Sequence, residues 1–335
     1  MSRRTLLWII AGFFILCAGI VIAQMSLDVL ALNETAVSAE SQELQGIQGA
    51  DETTMVVQKT KMNKSGAAGK KAAGSLDSIH KQKIQHYKVI NGALDTQKKL
   101  YAAQRANDSS ASRLSTNLKK EIPQAKAALK KLRRLTDEEV ALIKSTTKDT
   151  QAIKVAEASY ASWKSAVDNL KEQPLSENEM KARNANIRKN SDIAITNAHE
   201  QAKQVKSKEL APEDKSLLKT NVVANARNIF SNLEQIMNQM QSMMKSFSGA
   251  AGSAGIDMNA IQGLAGSFEG MGKQMQGFLG NFGPFAQTVG SLVGETVSVP
   301  KLAIPDFSSM LNLGKGSSLL PAMPSLPTGK FKPPF

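Results

Sequence analysis

Cysteine is all but missing from this 335-residue chain, and the single one, Cys17, lies inside an apolar run. No disulfide therefore forms within one chain, and zinc sites built on several cysteines are excluded. Leu16 stands where lipid-attachment signals carry a small residue, so Cys17 reads as a lipid-facing or core thiol. Aromatic residues make up only 5% of the chain, too few for a large aromatic core, and that favours long, thinly packed helices. Histidine occurs three times, and His80 and His86, six positions apart, sit about 120° apart around a helix, which argues against a shared metal. Catalytic motifs are absent as well. There is no Gly-x-Ser-x-Gly elbow, no phosphate-cradling Gly-x-x-x-x-Gly-Lys-Ser/Thr loop and no Gly-x-Gly-x-x-Gly turn. These absences point to a protein that is not an enzyme, with no catalytic residue, cofactor, metal or small-molecule substrate expected.

What is present begins at the N-terminus. Arg3 and Arg4 precede an apolar stretch from Leu6 to Ala23 that includes Trp8 and Phe13 and holds no charge. It comes close to the roughly 20 residues that span a bilayer core, while a secretory apolar region is usually about 7 to 15. A cleaved signal ending at Ala23 and a retained anchor both fit. In either case positive charge stays inside, so the chain from Gln24 onward is expected on the far side of the membrane.

Charge divides the chain into three. Residues 1–54 carry 2 basic and 6 acidic side chains, residues 55–220 carry 33 and 18, and residues 221–335 carry 7 and 5. The basic middle is where a polyanion would bind, weakly and through its overall field. Residues 24–75 read as an acidic tether, with Asp28, Glu34, Glu40, Glu43, Asp51 and Glu52, followed by a linker of Gly, Ala and Lys. Residues 76–247 read as an antiparallel, coiled-coil-like bundle of basic helices. Within it, Leu114, Leu118, Leu129 and Leu132 mark one stripe, which Pro123 is expected to kink or divide. Thr136 to Glu139 resembles a capping box that opens a new helix, and Ser176 to Glu179 a second. Between them Ile153, Tyr160, Trp163, Val167 and Leu170 step by three and four, as a helix-packing seam does. Pro212 with Glu213 and Asp214 suits another first turn. Asn33, Asn63 and Asn107 each begin a glycosylation-type triplet, a pattern that an Asn- and Ser-rich chain produces by chance.

Residues 248–299 change character, being rich in Gly, Met and Phe and low in charge. Phe278 and Phe282 belong to a helical stripe there, while Gly266 with Gly270 and Gly290 with Gly294 recur at the spacing that lets helices approach closely in lipid. This stretch is expected to meet a membrane, another copy or the apolar side of the bundle. Residues 300–335 hold 7 of the 11 prolines and form an extended tail.

The export-type N-terminus, the Lys- and Gln-rich helices and the Met/Gln stretch from Glu234 to Met244 are together loosely similar to minor pilus subunits of bacterial type IV secretion systems. That resemblance implies an envelope assembly role and transfers no functional residue. The sequence thus reads as an all-α, exported or membrane-anchored scaffold or assembly subunit of a cell envelope or secretion apparatus. Its expected partners are the membrane, other protein subunits or itself. Polyanion binding by the basic helices is the alternative.

Overall fold

The computed structural model describes residues 3–254 and 258–301, with side chains described from residue 29 onward except at 177 and 244–264. The chain is all-α, and no strand occurs among the described residues. α1 (Arg3–Asn63), α2 (Gly66–Arg105), α3 (Ser110–Thr146), α4 (Thr150–Asp168) and α5 (Glu177–Lys203) follow one another through short turns. A 3-10 turn (Ser207–Glu209), α6 (Pro212–Leu217) and a π-helical turn (Leu218–Val223) lead into α7 (Ala224–Ala254) and α8 (Met258–Val293).

α1 is the axis of the molecule, packed against α2, α4, α5, α7 and α8. Leu44, Ile47, Ala50 and Val56 on it are fully buried, and so are Asn33, Glu52, Thr53 and Gln58. The tether reading of residues 24–75 is therefore corrected. A helix with wet and dry sides shows an apolar stripe, and α1 over residues 31–60, covered nearly all round and polar at many of its covered positions, shows none. The linker half is corrected too, because α2 starts at Gly66. Gly66 takes φ +82°, and a Cβ on Gly69 would come within 2.0 Å of the Met62 carbonyl, so these glycines close a helical hairpin tightly.

Two further boundaries differ from the sequence reading. α3 continues unbroken through both Pro123 and Thr136. Pro123 is exposed, where water satisfies the carbonyl that loses its donor. Thr136 is buried in mid-helix because the inward stripe of Leu132, Leu135, Glu139 and Ile143 carries on past it. The next helix starts instead at Asp149, whose carboxylate accepts from the Gln151 and Ala152 amides. The capping box at Ser176 and the proline start at Pro212 occur as expected.

On the seam, Trp163 and Val167 are fully buried and Leu170 nearly so, while Ile153 and Tyr160 are half-buried against the core. Trp163 stacks on Tyr87 of α2 at 4.7 Å between ring centres. Arg133 lies 5.1 Å over the Tyr160 ring.

The bundle does not end at residue 247. From Ala265 onward α8 is core: Phe268, Phe278, Phe282 and Phe285 are buried, and Phe278 stacks on Phe282 at 5.0 Å. Phe278 also covers Gly46 of α1. Phe278 and Phe282 are thus committed inside the chain rather than to a membrane. Among the described residues no helix is long and apolar enough to cross a membrane. Arg3, Arg4, Leu6, Trp8, Phe13 and Ala23, which carry the anchor reading, lie outside the residues whose side chains are described, and the tail from 302 lies outside the described residues altogether.

Candidate functional site

The feature that sets this bundle apart is a ladder of charges buried along α1. Of the acids that the sequence presents as a solvated tether, Glu40, Glu43 and Asp51 point inward and meet Arg183, Arg188 and Lys83, while buried Glu52 lies against Asn221 and His80. At one end Asn33 bridges to the α4–α5 loop, donating to the Leu175 carbonyl at 3.0 Å and accepting from its amide at 2.8 Å. This full enclosure makes Asn33 inaccessible to glycosylation in the folded chain.

Two turns on, the Arg183 guanidinium of α5 grips Glu40 through contacts of 2.5 and 2.7 Å, both side chains 1% exposed. Burial pushes the Glu40 carboxyl above its ordinary range, against the opposing pull of Arg183. Glu43 sits 3.8 Å from Arg188, which is closer, at 2.9 Å, to Asp192. Burial pushes Glu43 up to about 8, with Arg188 offsetting part of that rise and Asp192 adding to it.

The middle rung is the most enclosed. Lys83 of α2 donates to Asp51 and to Glu139 of α3, both at 2.7 Å, and Tyr87 donates to Asp51 at 3.0 Å. Burial works against the Lys83 charge, but Asp51 and Glu139 together hold its ammonium well above the ordinary lysine range. Burial raises Glu139, against the pull of Lys83. His80, 2% exposed, has Asp51 at 3.7 Å and Glu52 at 3.8 Å. Glu52 accepts from Asn221 at 2.7 Å, so the π-helical turn before α7 lies beside a ladder acid.

Beyond it, Asp149 receives Lys61 at 2.7 Å, Gln58 at 3.0 Å and Gln201 at 2.9 Å. Asp149 is held down at about 2 because hydrogen bonds from Lys61 and Gln58 outweigh its partial desolvation. Lys59 closes the ladder on Asp214 at 2.6 Å. The rungs fasten α2, α3, α5 and the α6 region to one central helix.

Among the described residues no group of ligating side chains suits a metal. Glu40 and Glu43 border a void of about 10 Å³, room for at most one water. Beside it lies an open groove of about 240 Å³ lined by Leu32, Ala36, Met180, Gly266 and Gly270. An added Cβ at Gly266 or Gly270 would find nothing within 4 Å, so among the described residues no helix packs directly onto this pair. Gly290 and Gly294 serve a turn instead: Gly294 takes φ +76°, and the chain folds back until the Glu295 carbonyl would be 2.7 Å from a Cβ on Gly290.

The sequence reading missed the ladder. One signal was present in it, the seven- and eleven-residue spacing of Asn33, Glu40, Asp51 and Gln58, which places them along one side of a helix. Compared with known family models, with curated proteins and with solved structures, the chain matches none.

Proposed function

We propose that this chain is a non-enzymatic, exported or membrane-anchored helical scaffold, an assembly subunit of a cell envelope or secretion apparatus. The observation that carries the reading is the continuity of α1. A single helix includes the apolar run 6–23 and then becomes the buried axis of the bundle. Whatever holds the run is coupled to the bundle through helix rather than through a flexible tether. The ladder supports the same reading, since α2, α5 and the α6 region are tied to α1 by ion pairs, and α3 to α2 through the same Lys83. The likeness to minor pilus subunits falls within this class. Cell fractionation of the full chain with a carbonate wash tests it. Retention in the washed membrane pellet, with Arg3 and Arg4 still on the mature N-terminus, is the expected result for the anchor. A mature chain starting at Gln24 and released by the wash makes it an exported soluble subunit, and recovery in the cytosol overturns the proposal.

A second reading rests on one specific observation. Lys120, Lys126, Lys130 and Lys131 are exposed on α3 and make no ion pair among the described residues. This stripe suits a phosphate or carboxylate polymer, and binding would weaken steeply with salt. Titration with duplex DNA and with an anionic polysaccharide from about 50 mM salt upward checks it, and no binding at the lowest salt removes it.

A further inference from the structure

α7 and α8 overrun the rest of the bundle, and the contacts along α1 show by how much. Asn221 donates to Glu52 and Asn232 to Gln42, so α7 runs antiparallel to α1 nearly residue for residue. Arg105 extends the match, contacting Met243 Sδ at 3.9 Å and Glu34 at 3.0 Å. Continued at that step, the end of α7 at Ala254 falls level with about residues 20 to 23 of α1. α8 runs parallel to α1, with Phe278 against Gly46 and with Gly266 and Gly270 sharing a groove with Leu32 and Ala36. Its start at Met258 accordingly falls level with about residue 24.

The other helices stop short of that level. The α2–α3 corner packs near Leu30 and Val37, and the α4–α5 loop meets α1 at Asn33. The end of α7 and the start of α8 therefore project about 15 Å past the bundle, alongside α1. They reach the point where its apolar run ends. Over residues 246–268 the sequence has a single charge, Asp257. Both its low charge and its level suit a bilayer interface, since few charges would have to leave water there.

We infer that the end of α7 and the start of α8, residues 244–254 and 258–264, form a second membrane contact, resting in the lipid interface beside α1. The inference rests on residues 6–23 lying in the bilayer, the anchored form of the proposal above. It gives the scaffold two points of attachment, which fixes its orientation about the membrane normal as well as its height.

Full-length protein with Cys17→Ala and one added cysteine, labelled with an environment-sensitive fluorophore, tests this in phosphatidylethanolamine/phosphatidylglycerol vesicles that carry a shallow lipid-borne quencher and, in a parallel sample, a deep one that reaches the bilayer centre where residue 14 would lie. Three sites are compared: Ser253→Cys in α7, Phe14→Cys in the apolar run, and Thr196→Cys, exposed on α5 at a level about 45 Å from the run. The expected result is a blue-shifted label at 253 quenched at least twofold, with the label at 196 unaffected. An unquenched 253 beside a quenched 14 overturns the second contact and leaves the anchor standing. Quenching at 253 without quenching at 14 sinks the anchor on which the inference rests and overturns it, and quenching at neither site sinks both. A blue-shifted but unquenched 253 overturns the inference in favour of cover by a second copy.

Discussion

Lys83 is where the bundle is most exposed to a single substitution. Its ammonium is 1% exposed between two carboxylates, and removing it leaves Asp51 and Glu139 facing each other without a cation. Breaking one partner of a buried ion pair costs about 3 to 5 kcal/mol, whereas replacing the whole set by neutral groups is often tolerated. Lys83→Met should therefore lower the denaturation midpoint sharply, and adding Asp51→Asn and Glu139→Gln should recover most of the loss. Chemical denaturation of the two variants checks this, and equal stability for both would mean the middle rung carries no net charge interaction. Glu43 gives the complementary case. Its folded carboxyl stands at about 8 against 4.5, so the folded state holds a proton that the unfolded chain releases. Between those values stability falls as pH rises, and below about 4.5 the effect vanishes. Each tenfold in proton affinity is worth about 1.4 kcal/mol, so Glu43→Gln should gain up to about 5 kcal/mol relative to the parent on going from pH 4 to pH 9. A pH-independent difference would show that Arg188 keeps Glu43 ionised throughout.

At the scale of elements, the sequence announced helices wherever one face was wet. The seam through Trp163 and Val167, the capping box at Ser176 and the proline start at Pro212 were all legible, because each is a local pattern completed within a few residues. α1 was not, since its inward side carries Glu40, Glu43, Asp51 and Glu52, and nothing local says that Arg183, Arg188 and Lys83 arrive from more than 30 positions away. Thr136 misled for a related reason. Thr-x-x-Glu caps a helix only if the threonine leaves helical geometry, and here burial of Thr136 and Glu139 keeps α3 going. Gly46 shows what such tertiary dependence costs an element. A Cβ there would stand 2.8 Å from Phe278, whose ring is already stacked on Phe282. Gly46→Leu should destabilise the chain by about 1 to 3 kcal/mol through overpacking. Combining it with Phe278→Ala should be less harmful than the sum of the two single changes, because neighbouring sites couple. Additive losses would show that α1 and α8 do not meet at this point.

For the whole molecule the decisive question is where the folding unit ends. Charge and glycine content alone place a boundary near residue 247, after which the chain becomes low in charge and rich in Gly, Met and Phe. Packing places α8 inside the same core as α1 and α5, with Phe268, Met271, Met275, Phe278, Leu279, Phe282, Phe285 and Val289 all buried. Burying one such large side chain is worth about 1.5 to 3 kcal/mol, and a whole domain is stable by only about 5 to 15. The eight together therefore exceed what the remaining helices have in reserve. His199 adds a polar tie between α5 and α8, its Nε2 lying 2.9 Å from the Thr288 hydroxyl. The Lys219 and Arg227 cations also reach Glu295 just past the Gly294 turn, the first at 2.5 Å and the second at 2.8 Å. A chain ending at Phe247 should consequently lose cooperative thermal unfolding and bind a hydrophobic dye, while one ending at Lys301 should melt as sharply as the full chain. Circular dichroism melts of the two truncations decide it: a sharp transition for the shorter chain would make α8 a cover laid over an independent bundle, and the core would then have to be redrawn around α1 to α7 alone.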